Sequence, residues 1–203
     1  MPKARSVGIA WFLGICVLTC SGCVVKVPLS SDIPNLQFGK KLPLEVALLI
    51  TEETRNYIFK GKPDTLVASG GSYEIAFGEA LEKTSLEIFS QVFDKITLVR
   101  TPEEAIKYYK LFIEPKVEDY HFRFTAPFLG RRHVFSKIII HARVGSRDVT
   151  IKEESVESPE YESRLAESTG LGDTTSDALV YSLGRIAIQL GEDATVLKII
   201  ENK

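Results

Sequence analysis

All three cysteines of this chain, Cys16, Cys20 and Cys23, fall within its first 23 residues. Whatever the rest folds into must therefore hold together without a disulfide or a cysteine metal site. In the same segment Lys3 and Arg5 precede an apolar run from Val7 to Leu18, and Ser21-Gly22 precede Cys23. A short basic patch, an apolar stretch too short to span a bilayer as a mature helix, and small residues before a cut are the marks of a secretory signal peptide. On this reading residues 1–22 are removed and 181 of the 203 residues remain, enough for one sizeable core. Loss of Lys3 and Arg5 leaves 23 basic residues against 27 acidic ones, a net charge of −4. So mild an acidic balance gives no expectation of a nucleic-acid partner. A hydrophobic content of 44% marks the body as globular rather than disordered.

Ser21-Gly22-Cys23 resembles the lipobox of bacterial lipoproteins, in which the cysteine is lipidated and becomes the new N-terminus. Lipoboxes usually carry Leu three residues before that cysteine, where this chain has Cys20. A competing site at Cys20 is preceded by Val17, Leu18 and Thr19. Cys23 is preferred because Ser21 and Gly22 suit a narrow peptidase cleft, whereas Leu18 and Thr19 are bulkier. An uncleaved anchor helix and a cleaved signal without lipid are the alternatives. The resemblance implies a protein held on a membrane surface outside the cytoplasm. Each buried methylene contributes about 0.8 kcal/mol, so two or three acyl chains anchor it for practical purposes permanently. Val24 rather than Asp follows Cys23, and the enterobacterial sorting rule then implies the outer membrane, facing the periplasm.

Residues 23–42 contain Pro28, Pro34, Ser30, Ser31 and Asp32 without a sustained period, and read as a lipidated N-terminus and tether that lifts the domain of residues 43–203 off the membrane. Leu44–Ile50 suits a buried strand, and Gly70-Gly71-Ser72 a turn before another at Tyr73–Phe77. From Glu79 to Lys95, Leu81, Ser85, Ile88, Phe89, Val92 and Phe93 recur at helical spacing. After a strand at Thr97–Arg100, Thr101-Pro102-Glu103-Glu104 is a helix start: a capping hydroxyl, a proline at the first position, and acids that favour the dipole. A short helix to Tyr109 and a strand over Lys110–Val117 complete a strand-helix-strand unit with parallel strands.

Downstream, Leu111 and Ile113 are apolar at odd positions but Tyr120, Phe122 and Phe124 at even ones, so a bulge is expected near Glu118-Asp119. Val134, Ile138, Ile140, Ala142 and Val144 share one face of the next strand, which turns at Gly145–Asp148 into a return strand over Val149–Val156. Glu157–Asp173 reads as a loop, and Thr174–Asp177 as N-caps of a final helix that Gly191 breaks. The expected fold is a single-domain α/β (α+β) two-layer sandwich: a mixed sheet with two main helices on one face.

Chemical motifs are sparse. The only histidines are His121, His133 and His141. His121 and His141 facing each other across adjacent strands would make a metal pair, but a solvated strand face is the preferred reading, since no third ligand is near. No nucleophile elbow, phosphate loop or zinc-protease helix is present. Glu103-Glu104 and Glu153-Glu154 read as a cap and a solvated face. The expectation is a protein with no catalytic residues, no metal site and no cofactor. One contact candidate stands out between Phe124 and Phe135, where Phe128 and Leu129 beside Arg131 and Arg132 combine an apolar anchor with a charged rim. These residues suit a protein partner or anionic lipid, and closure of the end of the core is the competing reading.

A lipobox, a tether and this order of strands and helices resemble several families of bacterial envelope accessory lipoproteins: the curli-secretion group, penicillin-binding-protein activators, YajG-type lipoproteins and the auxiliary lipoproteins of ABC-type envelope transporters. The resemblance implies a non-enzymatic adaptor that docks to a larger envelope complex. A periplasmic binder of lipid or a small amphiphile, and an envelope enzyme with unrecognised carboxylates, are the two other readings.

Overall fold

The computed structural model describes residues 24–30, 33–35, 40–64, 71–125, 133–146, 150–164 and 167–201. Its backbone is a six-stranded mixed sheet with the two long helices on one face and a second, three-stranded sheet beside them. The large sheet is built from β2 (Leu42–Leu49), β5 (Phe93–Val99), β6 (Phe112–Thr125), β7 (His133–Gly145), β8 (Thr150–Glu157) and β9 (Tyr161–Ser163), in the order β5-β2-β6-β7-β8 with β9 also on β7. Both β5 and β6 run parallel to β2, and the β6-β7-β8 meander is antiparallel. The strand-helix-strand unit is thus parallel as expected, with β2 inserted between its two strands.

Two long helices, α2 (Phe77–Val92) and α4 (Glu167–Glu192), bury their apolar stripes on one face of this sheet. In chain order α1 (Glu52–Arg55) precedes them, α3 (Pro102–Tyr108) lies between them, and α5 (Ala194–Glu201) follows. The Thr101 hydroxyl accepts the Glu104 amide at 3.2 Å and Pro102 opens α3, so the cap forms as the residue types dictate. Against the opposite face of the sheet, Ala105 of α3 forms a small separate cluster with Ala47, Leu49, Val99 and Phe112.

The change of phase along β6 is a bulge: pairing to β7 shifts between Val117 and Asp119, with Glu118 the extra residue. Its effect is to turn Tyr120, Phe122 and Phe124 inward after Ile113 has pointed inward at the opposite parity. These rings meet Phe59 and Tyr73 from the small sheet, with centroids of Phe59 and Tyr120 4.9 Å apart and of Tyr73 and Phe122 5.2 Å apart, both edge-on. Such pairs contribute about 0.5–1.5 kcal/mol each beyond their buried area.

The small sheet, order β1-β4-β3, was not anticipated. It joins β1 (Val24–Val27), β3 (Phe59–Gly61) and β4 (Ser72–Ile75). Residues 24–27, expected within a tether, are instead a strand parallel to β4, with Val24 opposite Ser72 and Val27 opposite Ile75. Their side chains alternate: Val24 and Lys26 are exposed, whereas Val25 and Val27 pack toward the core. The chain then runs down the helical layer. The Ser30 amide donates to the Ser176 hydroxyl at 2.9 Å, Leu29 and Ile33 pack on the core, and Gln91 donates its side-chain amide to the Pro34 carbonyl. This part of the expected tether is a strap bound to the domain.

The other correction concerns α4, which begins at Glu167 rather than after a loop to Asp173. Thr174, Thr175 and Ser176 are not caps but buried interior residues with satisfied hydroxyls. Thr174 Oγ1 donates to the Gly170 carbonyl, Ser176 Oγ to that of Gly172, and Thr175 Oγ1 shares a hydrogen bond of 2.7 Å with the Tyr120 hydroxyl. Gly172 lets the Pro28 backbone pass against the helix, where a Cβ would collide with its carbonyl. The expected break near Gly191 is present, and Asp193 caps α5 by accepting the amides of Thr195 and Val196 at 2.7 and 3.2 Å.

Candidate functional site

The inner stripe of α4, from Leu171 through Leu179, Leu183 and Ile186 to Leu190, is buried on the sheet. Its outer side is unusually apolar for a solvated helix face. Val180, Tyr181 and Ile188 project there, and Gly184, with no side chain, leaves a gap between them. Tyr161 from β9 closes one wall, its ring edge-on to Tyr181 with centroids 6.4 Å apart, and Pro34 of the strap lies against the groove. Together these residues line an open groove of about 480 Å³.

Asp177 and Arg185 rim the groove, eight residues and so roughly 12 Å apart along the helix. Burial pushes the Asp177 carboxyl above its ordinary range, and the Asp173 charge adds to the effect. Burial likewise raises the Tyr161 phenol, reinforced by Asp177 and Tyr181. An apolar floor with a carboxylate and a guanidinium at its margins suits apolar side chains of a peptide or the tail of an amphiphile. Nothing in the expected site residues pointed here. The legible signal was the run of Val180, Tyr181 and Ile188 outside the apolar stripe that faces the core.

A second cluster sits on the open face of the large sheet. Glu114 is nearly buried, its side chain 5% exposed, and is held by Arg143 through Nη2 at 2.6 Å and Nε at 2.8 Å and by Lys116 at 2.8 Å. Burial alone would raise its carboxyl, but the hydrogen bonds from Lys116 and Arg143 outweigh it and hold the group below the usual carboxylate range. With His141 these residues border a polar hollow of about 270 Å³. Because its charge is already paired twice, Glu114 is suited to fixing strands β6 and β7 rather than to proton transfer.

His121 and His141 do not face each other. The β6–β7 register sets His121 opposite Lys137 and His141 opposite Lys116. His121 instead bridges Asp119 at 2.8 Å and Asp64 at 3.2 Å, and the Asp119 hydrogen bond is the main reason its imidazole titrates above its ordinary value. Among the described residues no three His, Asp or Glu side chains are grouped to hold a metal ion, and no helix is long and apolar enough to cross a membrane.

Cys20, Cys23, Phe128, Leu129, Arg131 and Arg132 lie outside the described residues. Their flanks are described and share one end of the molecule. Val24 pairs with Ser72, beside Tyr73, whose ring lies 5.5 Å from that of Phe124. Phe124 adjoins Thr125, which pairs with His133 in the last rung of the β6–β7 ladder. The opposite end is formed by the start of β2, the end of α3 and Ile199–Ile200 of α5.

No family model matches the chain, and no curated protein matches it. Among solved structures it is similar to a Xanthomonas campestris protein of the family DUF330, with 9% identity and a TM-score of 0.50 over 90% of this chain and 100% of that one. It is also similar to a hemagglutinin homolog from Helicobacter pylori, with 10% identity and a TM-score of 0.45 over 87% of this chain and 97% of that one. A minor lipoprotein from Acinetobacter baumannii has 12% identity and a TM-score of 0.32, over 78% and 93% of the two chains. The first of these likenesses shows a shared fold across nearly the whole length of both proteins.

Proposed function

We propose that this protein is a bacterial envelope lipoprotein that acts as a non-enzymatic adaptor. Lipid on Cys23, with Cys20 as the competing site, holds it on the outer membrane facing the periplasm, and Phe128, Leu129, Arg131 and Arg132 engage a larger envelope complex. The observation that carries this reading is the placement of Val24. It follows Cys23 directly in the chain and lies at the same end as Thr125 and His133, which bound the segment holding the four contact residues. An anchor and a contact segment at one end fit a protein that works at a membrane-embedded partner. The fold it shares with the DUF330 protein agrees with this class without assigning the role. The test is a mild-detergent pull-down of the intact chain. A specific membrane complex should be recovered, and Phe128→Ala with Leu129→Ala should weaken it several-fold; recovery of no stable partner overturns the adaptor role.

The groove on α4 supports a second reading, the capture of an amphiphile. Its apolar floor and 480 Å³ volume are of the size that accepts an acyl or aromatic group. Native mass spectrometry should then find co-purifying ligand that Gly184→Leu displaces, and protein that is repeatedly empty removes this reading.

A further inference from the structure

We infer that the domain has no spacer and sits directly on the membrane, with the small sheet β1-β4-β3 against anionic lipid headgroups. The inference rests on the reading of Cys23 as the lipidated residue and adds to it the orientation of the body and the chemistry of the contacting lipid. One peptide bond separates Cys23 from Val24, and Val24 is already hydrogen-bonded sheet, fixed beside Ser72. Consecutive Cα atoms lie about 3.8 Å apart, so an acyl chain entering the bilayer at residue 23 brings the end of β1 to the headgroup layer. Residues 28–30 and Pro34 cannot act as a leash, because they follow β1 on the side away from the anchor, with Ser30 bound to α4 and Pro34 to α2.

The surface brought down in this way has the composition for the task. Val24 is 53% exposed, although it is apolar and at the end of a strand. Lys26 of β1, Lys60 of β3 and Lys62, one residue beyond β3, are all exposed. Of the acidic groups nearby, Glu74 pairs with Lys60 at 2.8 Å and also feels Lys26, while Asp64 is engaged by His121. Lys26 and Lys62 have no ion-pair partner among the described residues. Lys26 stands two residues from Val24, roughly 7 Å along the strand, which keeps its charge within the ~8–10 Å screening length of a headgroup plane. A body whose mature net charge is negative thus presents a lysine-rich surface at the place where its anchor enters the membrane.

The test uses the intact, processed chain, whose body beyond Cys23 contains no cysteine. A Ser72→Cys reporter at the proposed contact is compared with Thr195→Cys on α5 at the opposite end, roughly 40 Å away by strand length. Each carries a fluorophore, in vesicles of phosphatidylethanolamine and phosphatidylglycerol or of phosphatidylcholine alone, with a headgroup-borne quencher. The Ser72 label should be quenched strongly and the Thr195 label weakly in the anionic vesicles. Lys26→Glu with Lys62→Glu should lower the ratio of seated to unseated protein by at least about five-fold per lysine, the equivalent of ~1 kcal/mol for each charge near an anionic leaflet. Labelling of the unsubstituted chain would show a free Cys23 thiol and overturn Cys23 as the anchoring residue, and with it the spacer-free seating. Equal quenching at the two positions, on protein that takes no label without a substitution, overturns the seating alone. Equal seating on neutral and anionic vesicles overturns the assignment of anionic lipid.

Discussion

Replacing Gly172 by alanine sets two opposing effects against each other. Inside a helix, alanine is favoured over glycine by about 1 kcal/mol, so on propensity alone the substitution stabilises α4. The strap opposes it. A Cβ at position 172 would meet the Pro28 carbonyl carbon at 3.4 Å, Val27 Cγ1 at 3.7 Å and the Pro28 oxygen far inside normal contact. To restore ordinary separation the Pro28 carbonyl must retreat by roughly 1 Å, and overpacking of this kind costs about 1–3 kcal/mol. The same retreat stretches the 2.9 Å bond from the Ser30 amide to Ser176, worth about 1 kcal/mol. Gly172→Ala should therefore lower stability by about 1–3 kcal/mol net, read as a fall in urea midpoint with little change in slope. Hydrogen exchange should accelerate at Val25–Val27 more than in the sheet strands β6 and β7. A gain in stability near 1 kcal/mol, with protection of β1 unchanged, would mean that the strap does not rest on α4 and would refute the packing argument.

Two other substitutions probe the interior. Glu114→Gln removes the charge that Arg143 and Lys116 share and should cost about 1–3 kcal/mol. Because the folded carboxyl is held below its ordinary value of 4.5, its contribution is fully present above that pH and is lost as pH falls through the lower folded value. The variant's stability should thus fall less steeply on acidification, and parallel curves for the two proteins would contradict the assignment. Tyr120→Phe deletes a buried 2.7 Å hydrogen bond to Thr175 and should cost about 1 kcal/mol. In a double-mutant cycle, Thr175→Val added to it should cost markedly less than in the parent, whereas additive losses would show the two hydroxyls to be uncoupled.

The parts of the fold legible from sequence were those whose signals are local. The stripe of α2, the Thr101-Pro102 start of α3, the alternation of β7 and the break before α5 each need only a few consecutive residues. Even the bulge at Glu118 could be read, since a change of parity between Ile113 and Tyr120 is written into the chain. What escaped depends on distant partners. Val24–Val27 is only four residues long and is a strand because Ser72–Ile75, nearly fifty positions away, lies alongside it. The first turns of α4 contain Gly170, Gly172, Thr174, Thr175 and Ser176, which read as loop and cap residues in isolation. They are helical because the glycine admits Pro28 and the hydroxyls find carbonyls or Tyr120 inside the core. His121 and His141 do not face each other because the register sets His141 four positions along β7 from the residue opposite His121, an offset that neither strand encodes locally. The groove was missed because its walls come from Pro34, Tyr161 and α4, three segments that only the tertiary structure brings together.

Ser158 stands where β8 has ended and β9 has not begun. Its amide donates to the Ile138 carbonyl at 2.9 Å and its hydroxyl accepts the Ile138 amide at 3.1 Å, so one residue supplies both halves of the missing rung. From Val134 to Gly145 the outer border of β7 is thereby closed, with Glu153 and Glu157 exposed along the cover that closes it. Without Ser158 the Ile138 amide and carbonyl would be an unpaired notch in that border, a place where a foreign strand could begin to pair; a single serine fills it.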